Sequence, residues 1–336
     1  MNSNACNCWR CESIETFLKR TVVFDKTGVG PLLHARVMQT TTGNISSGSL
    51  ELFYRAWRPD QTPRGVVAIV PGFNSHSRYY SWVAQRFVDQ GLAAYAIDLR
   101  GRGESQGERF YVQEFGDYVN DVHEFVTIVR AHEPGLPIYL LGHSAGGVVS
   151  TLYAAEHQDQ LAGLICESFA FKIPAPDFAL AVLKGAAHVA PHLHVLTLKN
   201  SDFSRDPAIV QAMDSDPLIA HESQPLETIA AMVRADETLE RSFADITLPV
   251  FILHGTEDHA TQPTGSQQFF DQAGSLDKTL RFYEGGYHDL LNDTIRDEVA
   301  ADVSTWLNRQ LGQRQSAPRV SDVIVTPTTE AEQPRL

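Results

Sequence analysis

Cysteine is scarce in this chain, four residues among 336. That is too few for a disulfide framework at this size. Cys6, Cys8 and Cys11 form a C-x-C-x-x-C cluster near the start. The two separated C-x₂-C pairs of a usual zinc site are missing, so the cluster is read as incidental. Cys166 closes the apolar run Leu161-Ala-Gly-Leu-Ile-Cys166 and reads as a small core residue. Long hydrophobic runs are missing too. No segment approaches the roughly 20 apolar residues of a membrane span, and Met1 to Arg10 lacks the apolar core of a signal peptide. A cytoplasmic protein with no transmembrane segment is therefore expected. Positive charge is the third shortage: 27 lysines and arginines stand against 41 acidic residues, a net charge of -14. A nucleic-acid partner needs a basic face, and this composition argues against one.

What the chain does have is a regular alternation. Residues 50–57 alternate roughly as a strand does, and Val66-Val-Ala-Ile-Val70 is apolar throughout, as in a strand buried within a parallel sheet. Residues 79–90 read as a helix closed by Gly91, then 92–97 as a strand and 115–131 as a helix. Strands around 138–142 and 161–166 flank the next helix. This order predicts an α/β fold, a mostly parallel central sheet with helices on both faces. From about Phe169 the rhythm breaks into helical patterns with polar and proline interruptions and no convincing strand. It resumes with strands at 249–253 and 280–283 and helices at 265–272 and 295–311. The expected organisation is an N-terminal extension (1–45), a first part of the core (46–169), an inserted helical cap (170–245), a second part of the core (246–311) and a flexible tail (312–336).

The chemistry is declared at Ile138-Tyr-Leu-Leu-Gly-His-Ser144-Ala-Gly-Gly-Val148, an apolar run, a sharp turn and a good helix. In G-x-S-x-G a serine stands on a strained strand-to-helix turn, and small residues two positions either side let the two elements pass closely. The helix start then offers the Ala145 N–H to a developing negative charge. A serine hydroxyl needs a base, and the base needs an orienting acid. On such a sheet these follow in the order Ser, Asp or Glu, His, on loops after later strands. His254-Gly-Thr-Glu-Asp258 and Glu284-Gly-Gly-Tyr-His288 stand in those places. His143 adjoins the serine on a tight turn and should diverge from it, and His254 ends a strand. His288 follows a Gly-Gly pair that lets its loop fold back, so it is the expected base, with Asp258 as acid and Glu257 as the alternative acid. The loop Pro71-Gly72-Phe73-Asn74-Ser75-His76 follows the first central strand. It offers the Phe73 N–H as the second oxyanion donor, unless it is purely a structural turn.

At this point the sequence resembles the monoacylglycerol lipase and lysophospholipase branch of the α/β-hydrolase fold, over about residues 50–311. The resemblance is carried by Gly72-Phe73 with His76 and Arg78-Tyr79, by Asp98-Leu-Arg-Gly-Arg-Gly-Glu-Ser105, and by Gly142-His-Ser-Ala-Gly146. Ser204-Arg-Asp-Pro207 through Asp216-Pro-Leu218, Gly255-Thr-Glu-Asp258 and Tyr287-His288-Asp-Leu-Leu291 complete it. It implies Ser144, Asp258 and His288 as triad, the Phe73 and Ala145 amides as oxyanion hole, and no metal or cofactor. Three features depart from the branch. Pro71 stands where a histidine is usual, Phe73 is bulkier than the small residue usual there, and residues 169–199 match poorly.

Other signals are weaker. Gly101-Arg-Gly-Glu-Ser-Gln-Gly107 is one residue too long for a dinucleotide fingerprint. His188, His192 and His194 have partial metal-ligand spacing, but Pro191 interrupts the helix and no carboxylate is placed to help. Residues 178–183 with Val189, Leu193, Val195 and Leu196 form an apolar face of the cap, which packs on the core, lines an acyl pocket or rests against lipid. The expected function is a serine hydrolase of carboxylic esters acting on a small ester or lipid, a monoacylglycerol or lysophospholipid foremost. A general carboxylesterase, thioesterase or lactonase shares the chemistry. A cofactor-free perhydrolase or haloperoxidase and a non-catalytic ligand receptor are the readings from other classes.

Overall fold

The computed structural model describes residues 38–171 and 177–316. Cys6, Cys8 and Cys11, residues 317–336 and the side chains of residues 178–180 lie outside the described part. The chain opens with a hairpin of β1 (Met38–Ser47) and β2 (Leu50–Pro59), paired from Ser47 with Leu50 to Met38 with Pro59. Alternation then begins: β3 (Val66–Val70), α1 (Ser81–Asp89), β4 (Ala93–Ile97), α2 (Phe115–His132), β5 (Ile138–His143), α3 (Ala145–His157) and β6 (Gly163–Glu167). An insertion follows, with α4 (Asp177–Ala187), β7 (His194–Leu196), α5 (Pro207–Asp214), β8 (Gln224–Pro225) and α6 (Leu226–Ser242). The core closes with β9 (Val250–Gly255), α7 (Pro263–Gln272), β10 (Lys278–Tyr283) and α8 (Arg296–Ser316).

Eight strands form one sheet in the order β1-β2-β4-β3-β5-β6-β9-β10. Only the β1–β2 and β2–β4 pairings are antiparallel. Strands β3 to β6 are buried along their whole length, which is why they read as unbroken apolar runs. Their side chains still alternate between two cores. Val66, Ala68 and Val70 pack with Val122, Val126 and Val129 of α2 and Val148, Val149 and Leu152 of α3. Val67 and Ile69 pack on the other face with Val83 and Phe87 of α1 and Val303, Trp306 and Leu307 of α8. Each fully buried Val or Leu contributes about 1.5–3 kcal/mol, so both helical layers are held mainly by this burial.

The strand order fixes where a site can form. β3 lies between β4 and β5, so the chain winds outwards from β3 in both directions. Loops leaving the carboxyl ends of β3 and β5 therefore diverge and open a crevice between them. The Gly72-Phe73 loop and Ser144 stand on those two loops.

The structure differs from expectation at several boundaries. The end of the expected N-terminal extension forms most of β1, an edge strand. Its Thr-rich outer stretch is exposed, and only Ile45 and Ser47 are buried, so no apolar alternation marks it. Residues 77–80 form a 3₁₀ turn, capped by the His76 side chain accepting from the Arg78 N–H, before α1 begins at Ser81. The insertion contains one short antiparallel pair, β7 with β8, too brief to leave a sequence pattern. Helix α8 runs to Ser316, past the expected start of a tail at 312.

Candidate active site

Ser144 sits between β5 and α3 with φ +55° and ψ -122°, a conformation that costs a non-glycine residue about 1–3 kcal/mol. The sequence around it permits no relaxation. A Cβ on Gly146 would stand 2.1 Å from the Val70 carbonyl oxygen and 2.5 Å from that of Pro71, so only glycine lets α3 pass the end of β3. A Cβ on Gly72 would meet the Ser144 Cβ at 2.7 Å, which shows how closely the loop before Phe73 lies against the serine. Ala145 is the first residue of α3, and its N–H is among those a helix start leaves without an internal partner. Ser144 is 5% exposed, within the crevice rather than on an open surface.

Asp258 and His288 come together at the ends of β9 and β10. His288 Nδ1 lies 2.7 Å from Asp258 Oδ2, and both side chains are fully buried. His288 Nε2 has no hydrogen-bond partner among the described residues. With Nδ1 donating to the carboxylate, Nε2 keeps its lone pair free to take a proton. The Asp258 carboxylate is surrounded by donors: Oδ1 accepts from the Ala260 and Thr261 N–H groups at 2.8 and 2.9 Å, and Oδ2 also from Thr261 Oγ1 at 2.9 Å. Burial alone would raise its pKa, but His288 and His254 outweigh that and hold it well below the usual carboxylate range. Glu257, the alternative acid, is exposed, so it cannot face the same ring.

His143 diverges from its neighbour Ser144 as its place on the turn requires. Its ring packs 4.9 Å from that of His288, and its Nε2 lies 3.3 Å from the His288 carbonyl oxygen. Burial, and then the nearby His288, push its pKa down to about 3, so it is a neutral structural prop at ordinary pH. Phe203 of the insertion packs on the His288 ring, the two nearly perpendicular with centroids 4.9 Å apart.

Several participants could not be read from the sequence. His254 is the last residue but one of β9, and its Nε2 lies 3.1 Å from Asp258 Oδ2, while its Nδ1 meets Ser266 Oγ at 2.7 Å. Behind the elbow, Glu167 and Asp289 are buried. Burial pushes both carboxyls up, Asp289 to about 6, and for Glu167 the charge on Asp289 adds to the rise. With His143 they are the one group of three metal-capable side chains among the described residues, their ligand atoms within 4.8 Å of one another. This group is buried. The three insertion histidines do not form a cluster: His192 stacks on Tyr111 and meets Glu108 at 2.7 Å, whereas His194 meets the Ser223 carbonyl.

Comparison with known proteins agrees with this fold. The family Hydrolase_4, described as serine aminopeptidase, S33, matches residues 61–295. A monoacylglycerol lipase of Mycolicibacterium smegmatis is 33% identical over 264 residues, 77% of this chain and 94% of that protein. The human monoglyceride lipase is 32% identical over 271 residues, 79% of this chain and 89% of that protein. The crystal structure of a monoacylglycerol lipase from Paleococcus ferrophilus superposes with a TM-score of 0.70 at 28% identity, covering 77% of this chain and 99% of its own. The chain thus belongs to the Hydrolase_4 family of α/β-hydrolases, among the serine hydrolases that resemble monoacylglycerol lipases.

Proposed function

We propose that this protein hydrolyses the ester bond of monoacylglycerols through Ser144, His288 and Asp258. The reading is supported by the 2.7 Å pairing of His288 Nδ1 with Asp258, which leaves Nε2 unpaired, and by the strained elbow that carries Ser144. Ser144 Oγ attacks the ester carbonyl as its proton passes to His288 Nε2. The Phe73 and Ala145 N–H groups receive the oxyanion. Collapse of the tetrahedral intermediate expels glycerol, which takes the proton from His288 and leaves Ser144 acylated. Water then attacks the acyl carbonyl, giving its proton to His288, and the fatty acid departs as Ser144 recovers that proton. Asp258 keeps the ring oriented and stabilises its cation without itself becoming protonated. No step calls on a metal or cofactor.

The substrate class is supported by the names of the relatives and by the insertion over the crevice. Val182, Val189, Leu193 and Val195 of that insertion are exposed apolar side chains near one another in sequence, suited to resting on a lipid surface. No helix among the described residues is long and apolar enough to cross a membrane, so the contact would be peripheral.

The test is hydrolysis of a monoacylglycerol beside nitrophenyl esters of increasing acyl length, with Ser144→Ala as control. Activity on the monoacylglycerol and on the longer esters, lost in the variant, is the expected result. Activity confined to the shortest esters would replace the lipid substrate with a general carboxylesterase role, and serine-independent hydrolysis would overturn the triad.

A further inference from the structure

Two segments far from Phe73 in sequence meet over the turn that carries it. Glu222, in the link between α5 and α6, is buried. Its Oε1 accepts the Asn74 backbone N–H at 2.9 Å, the Gln224 side-chain amide at 2.8 Å, and a hydrogen bond from Arg102 Nη1. Arg102, equally buried, donates from Nη2 to Gln224 Oε1 at 2.8 Å, and its guanidinium carbon stands 4.1 Å over the Phe73 ring. Asn74 has φ +52°, and its Nδ2 donates to Asn200 Oδ1 at 3.0 Å and to the Leu198 carbonyl at 3.4 Å, both on the insertion.

Phe73 is therefore held from both sides. The peptide after it is pinned by Glu222 through the Asn74 N–H, and its ring is pinned by Arg102. Both restraints act on the residue whose N–H is read as an oxyanion donor. A buried arginine and glutamate are a poor means of stabilising a fold, because desolvation consumes most of their attraction. They fix one geometry, since neither can shift without leaving a buried charge unpaired. Here they hold the Asn74 N–H and the Phe73 ring, on the loop after β3.

We propose that Glu222 and Asn74 are positioning residues for the oxyanion hole, so that the insertion sets the direction of the Phe73 N–H. The inference rests on the reading of the Phe73 and Ala145 N–H groups as oxyanion donors. A cap that lifts from the core carries Glu222 with it and dismantles the hole.

The experiment compares a long-chain alkyl trifluoromethyl ketone with its methyl ketone. Ser144 Oγ adds to the activated carbonyl of the first, its proton passing to His288, and the resulting hemiketal oxygen is an oxyanion. The second binds without that adduct. Wild-type protein that bound both ketones equally would overturn the oxyanion-hole reading itself. Given a wild-type preference, Glu222→Ala is expected to lower kcat by about 10-fold to 100-fold and to cut the preference by a similar factor. KM and the methyl ketone affinity should move by less than about 3-fold, since both report uniform binding. Glu222→Gln, which keeps an acceptor oxygen, should recover most of kcat. Asn74→Gly keeps the left-handed backbone and the Glu222 contact while removing the side-chain anchors, and is expected to cost about 3-fold to 10-fold in kcat alone. An undiminished ketone preference in both Glu222→Ala and Asn74→Gly would overturn the inference. So would equal weakening of both ketones, which would mean a merely loosened cap. Should Glu222→Ala fail to melt cooperatively, Asn74→Gly decides by the same two readouts.

Discussion

His254 Nε2 lies 3.1 Å from Asp258 Oδ2, the oxygen that His288 Nδ1 also reaches. Two buried histidines thus share one carboxylate oxygen. The carboxylate can only accept, so His254 donates to it from Nε2, while Ser266 Oγ meets Nδ1 at 2.7 Å. His254 is thus a second imidazole holding the carboxylate that orients His288. Replacing it with alanine removes a hydrogen bond to a buried charge, worth about 1.5–3 kcal/mol. The expected outcome for His254→Ala is a kcat lower by about 10-fold with little change in KM, and a melting temperature lower by about 5 °C. Steady-state kinetics with calorimetry checks both. An unchanged kcat with a lowered melting temperature would make His254 purely structural.

The buried carboxyls give opposite pH signatures. Asp258 is held below its ordinary value, so its contribution to stability is present above the unfolded pKa and is lost only as pH falls through the folded one. Asp289 is pushed up from 3.8 to about 6, so its contribution is fully present below 3.8 and is lost as pH rises through about 6. Asp289→Asn keeps an acceptor for Asn292 and removes that loss. Its stability relative to wild type should rise by about 1–3 kcal/mol from pH 4 to pH 7 and then level off. Paired melts across that range test it, and a difference independent of pH would show that Asp289 does not titrate there.

The elbow makes a steric prediction. A Cβ on Gly146 would lie 2.1 Å from the Val70 carbonyl oxygen, against backbone that cannot withdraw without breaking β3 from β5. Gly146→Ala is expected to cost more than about 4 kcal/mol and to prevent soluble expression. Gly116→Ala, in α2, meets nothing within 4 Å and should raise stability by about 0.5–1 kcal/mol. Expression and melting of the two variants side by side separate the local clash from a general intolerance of alanine.

How much was legible in the sequence follows from how local each feature is. The elbow is written within five residues, and the loops bearing Asp258 and His288 each follow a recognisable strand. The strand–helix alternation that fixes the crevice is equally a matter of neighbouring residues. The clamp over Phe73 is not. Glu222 meets Asn74 across 148 residues and Arg102 across 120, so no window of sequence holds both partners. The contact of His254 with Asp258 escaped the sequence for a related reason. Its position at a strand end is plain, but which way its ring points depends on Ser266 and on the course of the Asp258 loop. β1 was obscured because an exposed edge strand needs almost no apolar residues.

The exposed apolar residues of the insertion carry the last prediction. Val189 is 86% exposed and Leu193 58%, and both lie in the link between α4 and β7. Burying two such side chains in an acyl layer contributes about 2 kcal/mol at partial depth, so Val189→Ser with Leu193→Ser should weaken binding to neutral phosphatidylcholine vesicles by about 30-fold. Hydrolysis of a soluble short-chain nitrophenyl ester should be unaffected, because neither residue belongs to the crevice. The net charge of -14 sets the lipid preference. Anionic vesicles repel the protein at low salt, and the gap between anionic and neutral vesicles should narrow as salt screens that repulsion. Vesicle co-sedimentation at two salt concentrations measures both effects. Equal binding by the double variant and the wild type would mean that these side chains serve the packing of the insertion, or the acyl pocket beneath it, and not a lipid surface.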